Sequence, residues 1–314
     1  MTGVPSTTHL ALVGPTASGK SALALAAARI LGDVEIVSVD SMQVYRGLDV
    51  GTAKPSVTDR AEIPHHLIDV ADPQEEWSVA RFQEAARAAV AGIEARGRRA
   101  LLVGGTGLYV QAVIDDLCFP GEDLELRARL QARTEEPGGV AAAYEELARL
   151  DPEAAGRIDP HNARRIVRAL EVIRLTGRPF SSFGPGLQRY GPTAFPVAMA
   201  GVWLPRDVLN RRIEARVATM RDEGLVDEVR RLAGPGTPGL SRTARQAIGY
   251  REVLAHLEGE EPSLDAALEV VVRRTRSFAR RQRMWFRRDP RITWLGTSRE
   301  PAALAPSLLA TWSR

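Results

Sequence analysis

Apolar positions come in two rhythms. His9–Val13, Val34–Val39 and Ala100–Val103 are short, largely apolar runs, the pattern of strands buried on both faces. Between them, Ala22–Ala26 and Val79–Arg96 carry helical spacing, and a further helix is expected after Thr106. Strand and helix alternate from His9 to about Asp116, which predicts an α/β fold built on a parallel sheet flanked by helices. The character changes near Phe119, Pro120 and Gly121. Leu124–Ala132, Val140–Leu150 and Asn162–Thr176 read as helices, and a Gly- and Pro-rich run, Ser181–Pro196, follows them. Val197–Leu204 then returns to strand character. Arg206–Glu223, Ser241–Leu257 and Leu264–Arg288 are expected helices, and Arg291–Leu295 is a last candidate strand. The expected organisation is a core of residues 1–118 and 197–314 interrupted by a mostly α-helical insertion domain, 119–196.

The first strand runs into Gly14, Pro15, Thr16, Ala17, Ser18, Gly19, Lys20 and Ser21, which satisfy G-x-x-x-x-G-K-[ST] between a buried strand and an alanine-rich helix. A loop of this kind turns backbone N–H groups toward phosphate oxygens, with the lysine on the terminal phosphate and the Ser21 hydroxyl on Mg²⁺. The expected fold is therefore P-loop NTPase-like, and the ligand a diphosphate or triphosphate such as ATP. The second strand ends in Asp40, whereas the strand Ala100–Val103 ends in Gly104 and Gly105. A motor ATPase or GTPase usually carries a Mg²⁺-orienting Asp on a later strand. Asp40 instead suits a general base acting on an acceptor, or else a helix cap, or a water-mediated aid to Mg²⁺.

Composition narrows the class. With 314 residues and 44% hydrophobic content the chain can bury a sizeable core. Its apolar runs stop short of the ~20 residues of a membrane span, and its start lacks a signal-peptide pattern, so a soluble cytoplasmic protein is expected. A lone Cys118 leaves no internal disulfide and no cysteine metal cluster. Net charge is only +3, yet nine arginines and one acid, Asp289, lie between Arg273 and Arg291. Arg273, Arg276, Arg280, Arg283 and Arg287 form one stripe at helical spacing, with Leu268, Val271, Val272, Phe278, Ala279, Trp285 and Phe286 forming much of an apolar face. Such a stripe suits an RNA backbone, or pairs with acids elsewhere in the fold.

These segments together resemble the bacterial tRNA dimethylallyltransferase (tRNA isopentenyltransferase) family. The resemblance rests on Gly14–Ser21 (GPTASGKS), Ser38–Tyr45 (SVDSMQVY), Asp49–Pro55 (DVGTAKP), Pro64–Asp69 (PHHLID), Val103–Tyr109 (VGGTGLY), Arg168–Val172 (RALEV) and Gln246–Glu252 (QAIGYRE), in the family's order. It implies transfer of a dimethylallyl group from dimethylallyl diphosphate to the exocyclic N6 amine of the adenine 3′ of the anticodon, in tRNAs reading codons that begin with U. It further implies Mg²⁺ as cofactor, the tRNA anticodon stem-loop as partner, no membrane, and a monomer. By the same resemblance, Asp40, Lys20 and Thr106 are catalytic, with Thr106 also a candidate helix N-cap. Gly14 to Ser21 and Gln246 hold the diphosphate, with Ser21 on the metal. Asp40, Ser41, Met42, Gln43, Thr106, Arg127, Arg164, Arg165, Ile166, Val167 and Arg168 meet the tRNA, the insertion reaching the anticodon stem-loop. Tyr45 and Tyr109 either line an apolar pocket or pack the core, and His65 and His66 receive no role. A nucleotide-prenylating relative and a small-molecule kinase are the competing readings. The first would need neither insertion nor arginine stripe, and the second would use 119–196 as an ATP lid.

Overall fold

The computed structural model describes residues 9–115, 117–184, 187, 190–234, 236–297 and 300–312. Two compact units are present, Met1–Asp115 with Pro192–Arg314, and Asp116–Gly191.

In the first unit six strands form one parallel sheet: β1 (His9–Val13), β2 (Val34–Val39), β3 (His65–His66), β4 (Arg99–Gly104), β5 (Val197–Trp203) and β6 (Ile292–Gly296), in the order β3-β2-β4-β1-β5-β6. Every residue of β1 and β2 is buried, which explains their largely apolar runs; the buried polar exceptions are His9, Glu35 and Ser38. Successive side chains point to opposite faces. Leu10 and Leu12 pack with Leu23 and Ala27 of the helix Lys20–Leu31 and with Leu308 and Trp312 of the helix Ala305–Trp312. Ala11 and Val13 face the other layer, where Phe82, Ala86, Val90 and Ile93 of the helix Val79–Ala95 lie at helical spacing.

Differences from the sequence reading have local causes. A bridge between Asp115 and Thr193, with the Ala194 N–H donating to Ile114 O at 2.7 Å, draws 192–196 into the first unit. The second unit therefore ends at Gly191, short of the expected 196, and begins at Asp116 instead of 119. The expected helix Ser241–Leu257 is two helices, Arg242–Arg245 and Tyr250–Leu257; the first ends at its cap Gln246, and Gly249 at φ 102° redirects the backbone to start the second. Helices Val57–Glu62, Pro152–Arg157, Leu225–Ala233 and Ala305–Trp312 were outside the sequence reading.

In the second unit Leu124–Glu135, Gly139–Leu150 and Ala163–Thr176 enclose Leu130, Leu147, Ile166, Val167 and Leu170. Glu171 is wholly buried there and accepts from Arg127 Nε (2.9 Å) and the Asp123 N–H (2.9 Å), with Arg168 at 3.0 Å. Removing the carboxylate takes the main buried partner from two guanidinium groups, so Glu171→Ala is expected to destabilise this unit by about 3 kcal/mol, the lower end for a broken buried pair because Arg127 keeps Glu122, Arg168 keeps the carbonyls of Pro120 and Gly121, and both keep some water contact. Hydrogen exchange of Leu130, Leu147 and Leu170 amides measures it; protection equal to wild type would refute it.

Candidate active site

The P-loop leaves β1 at Gly14 and reverses through Ala17 (φ 60°) and Gly19 (φ 82°), both left-handed, with the Ser18 N–H donating to Pro15 O at 3.2 Å. The helix Lys20–Leu31 starts immediately. The backbone N–H groups of Gly19, Lys20, Ser21 and Ala22 make no hydrogen bond among the described residues. Four orphan donors at a helix N-terminus form an anion cradle. Glycines at the end of β4 keep the crevice open. A Cβ on Gly105 would run into Gln282, Gly14 O and the Lys20 ammonium.

A cavity of about 310 Å³ opens on this loop. Its polar wall is Thr16, Lys20, Ser21, Asp40, Gln43, Thr52, Arg216 and Gln282, and Leu25, Ile36, Val103 and Phe278 supply an apolar one. Burial pushes the Lys20 ammonium down to about 8, with Asp40 pulling it up and Arg216 pushing it further down. Arg216, from the helix Arg206–Asp222, donates to Thr16 Oγ1 (3.1 Å) and to Thr52 O (3.4 Å). Burial also lowers this guanidinium from its usual range, opposed by Asp40. Lys20, Lys54 and Arg216 thus line the cavity against Asp40 and Asp59, an excess of positive charge suited to a polyanion.

Asp40 uses one oxygen locally: Oδ1 accepts the Met42 N–H at 2.8 Å and fixes the turn after β2. Its Oδ2 accepts no hydrogen bond among the described residues and is available to the cavity. No helix starts here, so Asp40 closes a turn and does not cap a helix, and its second oxygen leaves the base reading open. Gln43 is held on both sides, Oε1 accepting from Ser38 Oγ (2.8 Å) and Nε2 donating to Thr52 O (3.1 Å) and Ala53 O (3.3 Å). Gln282 joins two loops, accepting from the Thr16 N–H (2.8 Å) and donating to Gly105 O (2.7 Å).

A phosphate cradle, a nearby carboxylate and a strand ending in Gly104 and Gly105 meet in one cavity, and the IPP transferase family profile matches residues 43–289. The chain belongs to the IPP transferase family. A tRNA dimethylallyltransferase of Bifidobacterium adolescentis is 47% identical over 304 residues, 96% of this chain and 86% of the relative. That of Salinispora tropica is 51% identical over 291 residues, 93% and 89% respectively. Among solved structures, the tRNA isopentenylpyrophosphate transferase of Bacillus halodurans is 38% identical with a TM-score of 0.69, covering 98% of this chain and 97% of its own. A eukaryotic dimethylallyltransferase captured acting on tRNA is 25% identical with a TM-score of 0.80, covering 98% and 80%.

Within this member of the IPP transferase family, the cavity gathers Thr16, Lys20, Ser21, Asp40 and Gln43. Ser41 and Met42 lie in the Asp40 turn, Met42 packed partly against the core. Thr106 occupies the N-cap position of the helix Gly107–Ile114, yet its side chain makes no capping bond. Its hydroxyl makes no hydrogen bond among the described residues, and Thr106 is not among the residues that line the cavity. Gln246 does not join the cavity: it is exposed at the end of the helix Arg242–Arg245, and its neighbour Tyr250 packs against Gly51 instead. Ile166 and Val167 are interior to the second unit, 0% and 2% exposed, so neither side chain can meet an RNA surface. Arg127 is committed to Glu171 and Glu122, and Arg168 to Glu171 and the carbonyls of Pro120 and Gly121. Arg164 and Arg165 are exposed, with no side-chain partner among the described residues. Tyr45 is fully buried core, while half-buried Tyr109 stands edge-on to Phe82.

The arginine stripe is real but divided. Arg276 pairs with Glu214, and Arg283 lies 3.2 Å from the Trp203 ring centroid. Arg273, Arg280 and Arg287 are exposed and face no acid within ion-pair distance among the described residues.

Arg216 and Gln282 were missed by the sequence reading. Both carry a signal in hindsight. The buried stripe Leu209, Ile213, Val217 and Met220 has Arg216 on its edge, and Gln282 is a polar residue in the stripe Ala279 to Phe286. A charged or amide side chain at an apolar period needs a specific partner.

Proposed function

We propose that this protein is a tRNA dimethylallyltransferase, moving the dimethylallyl group of dimethylallyl diphosphate to the N6 amine of the adenine 3′ of the anticodon, in tRNAs whose codons begin with U. The observation that carries the reading is Asp40 sharing one cavity with Lys20, Arg216 and the P-loop. The adenine amine is a poor nucleophile because its lone pair is delocalised into the ring. As nitrogen attacks C1 of the allyl group, the C–N bond forms, the C–O bond to diphosphate breaks, and the free Asp40 oxygen takes the N6 proton. Lys20, Arg216 and the unpaired N–H groups of Gly19 to Ala22 receive the charge of the departing diphosphate. The apolar wall of Leu25, Ile36, Val103 and Phe278 suits a hydrocarbon tail.

Ser21, whose hydroxyl makes no hydrogen bond among the described residues, lines the same cavity as the free Asp40 oxygen, an oxygen-donor set that fits Mg²⁺. Ser21 would hold the ion, with Asp40 near it, and the metal would supply further charge neutralisation to the diphosphate. An adenine in a stacked loop must be extruded to meet Asp40. Exposed Arg273, Arg280 and Arg287, and Arg164 and Arg165 on the second unit, suit the tRNA backbone. Among the described residues no helix is long and apolar enough to cross a membrane. We assign the protein to the cytoplasm as a monomer. The test is acceptor competition: a tRNA anticodon stem-loop should take the dimethylallyl label and AMP should not, and labelling of AMP alone would move the chain to the nucleotide-prenylating reading.

Diphosphate affinity should depend on pH in a stated direction. Lys20 titrates at about 8 in the free protein and must be charged to hold the anion. Below that value binding needs no lysine protonation. Above it, binding takes up a proton, so Kd should rise by up to ~10-fold per pH unit. Calorimetry in buffers of different ionisation enthalpy reads this uptake directly, and a pH-independent Kd from 8 to 10 would contradict it.

A further inference from the structure

Outside the cavity, Glu228 of the helix Leu225–Ala233 is 5% exposed yet fully engaged. Its carboxylate accepts the N–H groups of Asp49 (3.0 Å), Val50 (2.8 Å) and Gly51 (3.1 Å), and the hydroxyl of fully buried Tyr250. The Tyr250 ring presses on Gly51 so closely that a Cβ there would collide with it. Burial and the charge of Glu228 hold the phenol protonated, and so a donor. An acid buried with four donors on three successive amides and one hydroxyl is a fixed clamp on that segment.

What the segment does next connects it to the site. Immediately after Gly51, the carbonyls of Thr52 and Ala53 receive both bonds from Gln43 Nε2, and Thr52 O also receives Arg216. Ala53 is held at φ 46°, a conformation a free loop would leave. Lys54 pins the far end through Tyr45 O (2.6 Å), Asp49 (2.7 Å) and Asp69 (2.5 Å). Neither Glu228 nor Tyr250 lines the cavity, but the chain of bonds runs from them to two residues that do.

We propose that Glu228, oriented by Tyr250, is a positioning residue for the transfer reaction: it sets residues 49–53 so that their carbonyls aim Gln43 and Arg216 into the cavity. This rests on the transferase reading. Glu228→Gln swaps one acceptor oxygen for a donor against backbone N–H groups and lets the segment shift. A misplacement of about 1 Å at a reacting site costs ~10²-fold in rate. Tyr250→Phe removes a single bond and should cost less, on the order of threefold, because the three amides still hold Glu228.

The experiment measures kcat/KM for labelled dimethylallyl diphosphate and an unmodified tRNA transcript, well below each variant's thermal midpoint. Wild type, E228Q, Y250F, Q43A and the E228Q/Q43A double variant are compared. The expected result is a ~10²-fold loss in E228Q, with the double variant no worse than its worse single, since both act through the Gln43 amide. Independent, multiplying losses would overturn the proposal, as would wild-type rates in E228Q and Y250F. If E228Q does not fold, the same cycle is read with Y250F against Q43A. Wild-type protein that transfers nothing would sink the transferase reading instead, so the two failures are separable.

Discussion

Asp40→Asn should lower the rate of dimethylallyl transfer by ~10³-fold while leaving the fold and diphosphate affinity intact. Asparagine keeps a side-chain oxygen for the Met42 N–H, so the turn after β2 survives. What disappears is the second, free oxygen and the charge that makes it a base. The variant also removes the carboxylate whose charge acts on Lys20 and Arg216. At a pH low enough to keep Lys20 charged once Asp40 no longer pulls it up, diphosphate should therefore bind as tightly as in wild type, or more so, in the same preparation that has lost turnover. Single-turnover rates beside calorimetric Kd values separate these effects. Retention of a third or more of the wild-type rate would remove Asp40 from the role of base.

Arg216→Ala should lower kcat/KM for dimethylallyl diphosphate by ~10² to ~10³-fold. Arg216 is a desolvated cation fixed by Thr16 and Thr52, and its geometry costs nothing to assemble when charge develops on the leaving group. A second consequence gives the prediction a sign. Arg216 is one of the groups pushing Lys20 down to about 8. Its loss should therefore raise the Lys20 value and move the pH at which diphosphate affinity begins to fall upward. A variant with weakened binding but an unmoved pH profile would show that the two cations are not coupled. Arg216→Lys should recover little, because a point charge cannot reach Thr16 Oγ1 and Thr52 O together.

The sequence was most legible where chemistry and structure are local. Continuous burial of β1 followed by Gly14 to Lys20 announces strand, loop and helix within a dozen residues. Asp40 was readable because a strand end in a parallel sheet points at the crevice, even though β4 intervenes between β1 and β2. Gly105 helps keep that gap open, since a Cβ there would collide with Gln282. Residues that reach the site from far along the chain were not readable. Arg216 and Gln282 stand 200 and 266 positions from the Thr16 groups they bond, and no spacing rule links them. The two-residue strand His65–His66 is too short for any period to show. Motif membership also misplaced a role. Gln246 is expected at the diphosphate, but it is exposed, and Tyr250 of the same motif packs instead on Glu228 and Gly51. Likewise the run Arg164–Arg168 mixes two exposed arginines with the buried Ile166 and Val167, as any helix with one apolar face must.

The most direct measurement supplies purified protein, Mg²⁺, labelled dimethylallyl diphosphate and an unmodified tRNA with adenine 3′ of its anticodon, and then locates the label by nuclease digestion. The expected result is label on N6 of that one adenine, lost in Asp40→Asn and strongly reduced in Arg216→Ala. Absence of transfer, together with phosphate moving from ATP to a small-molecule hydroxyl, would contradict it and make the P-loop that of a kinase.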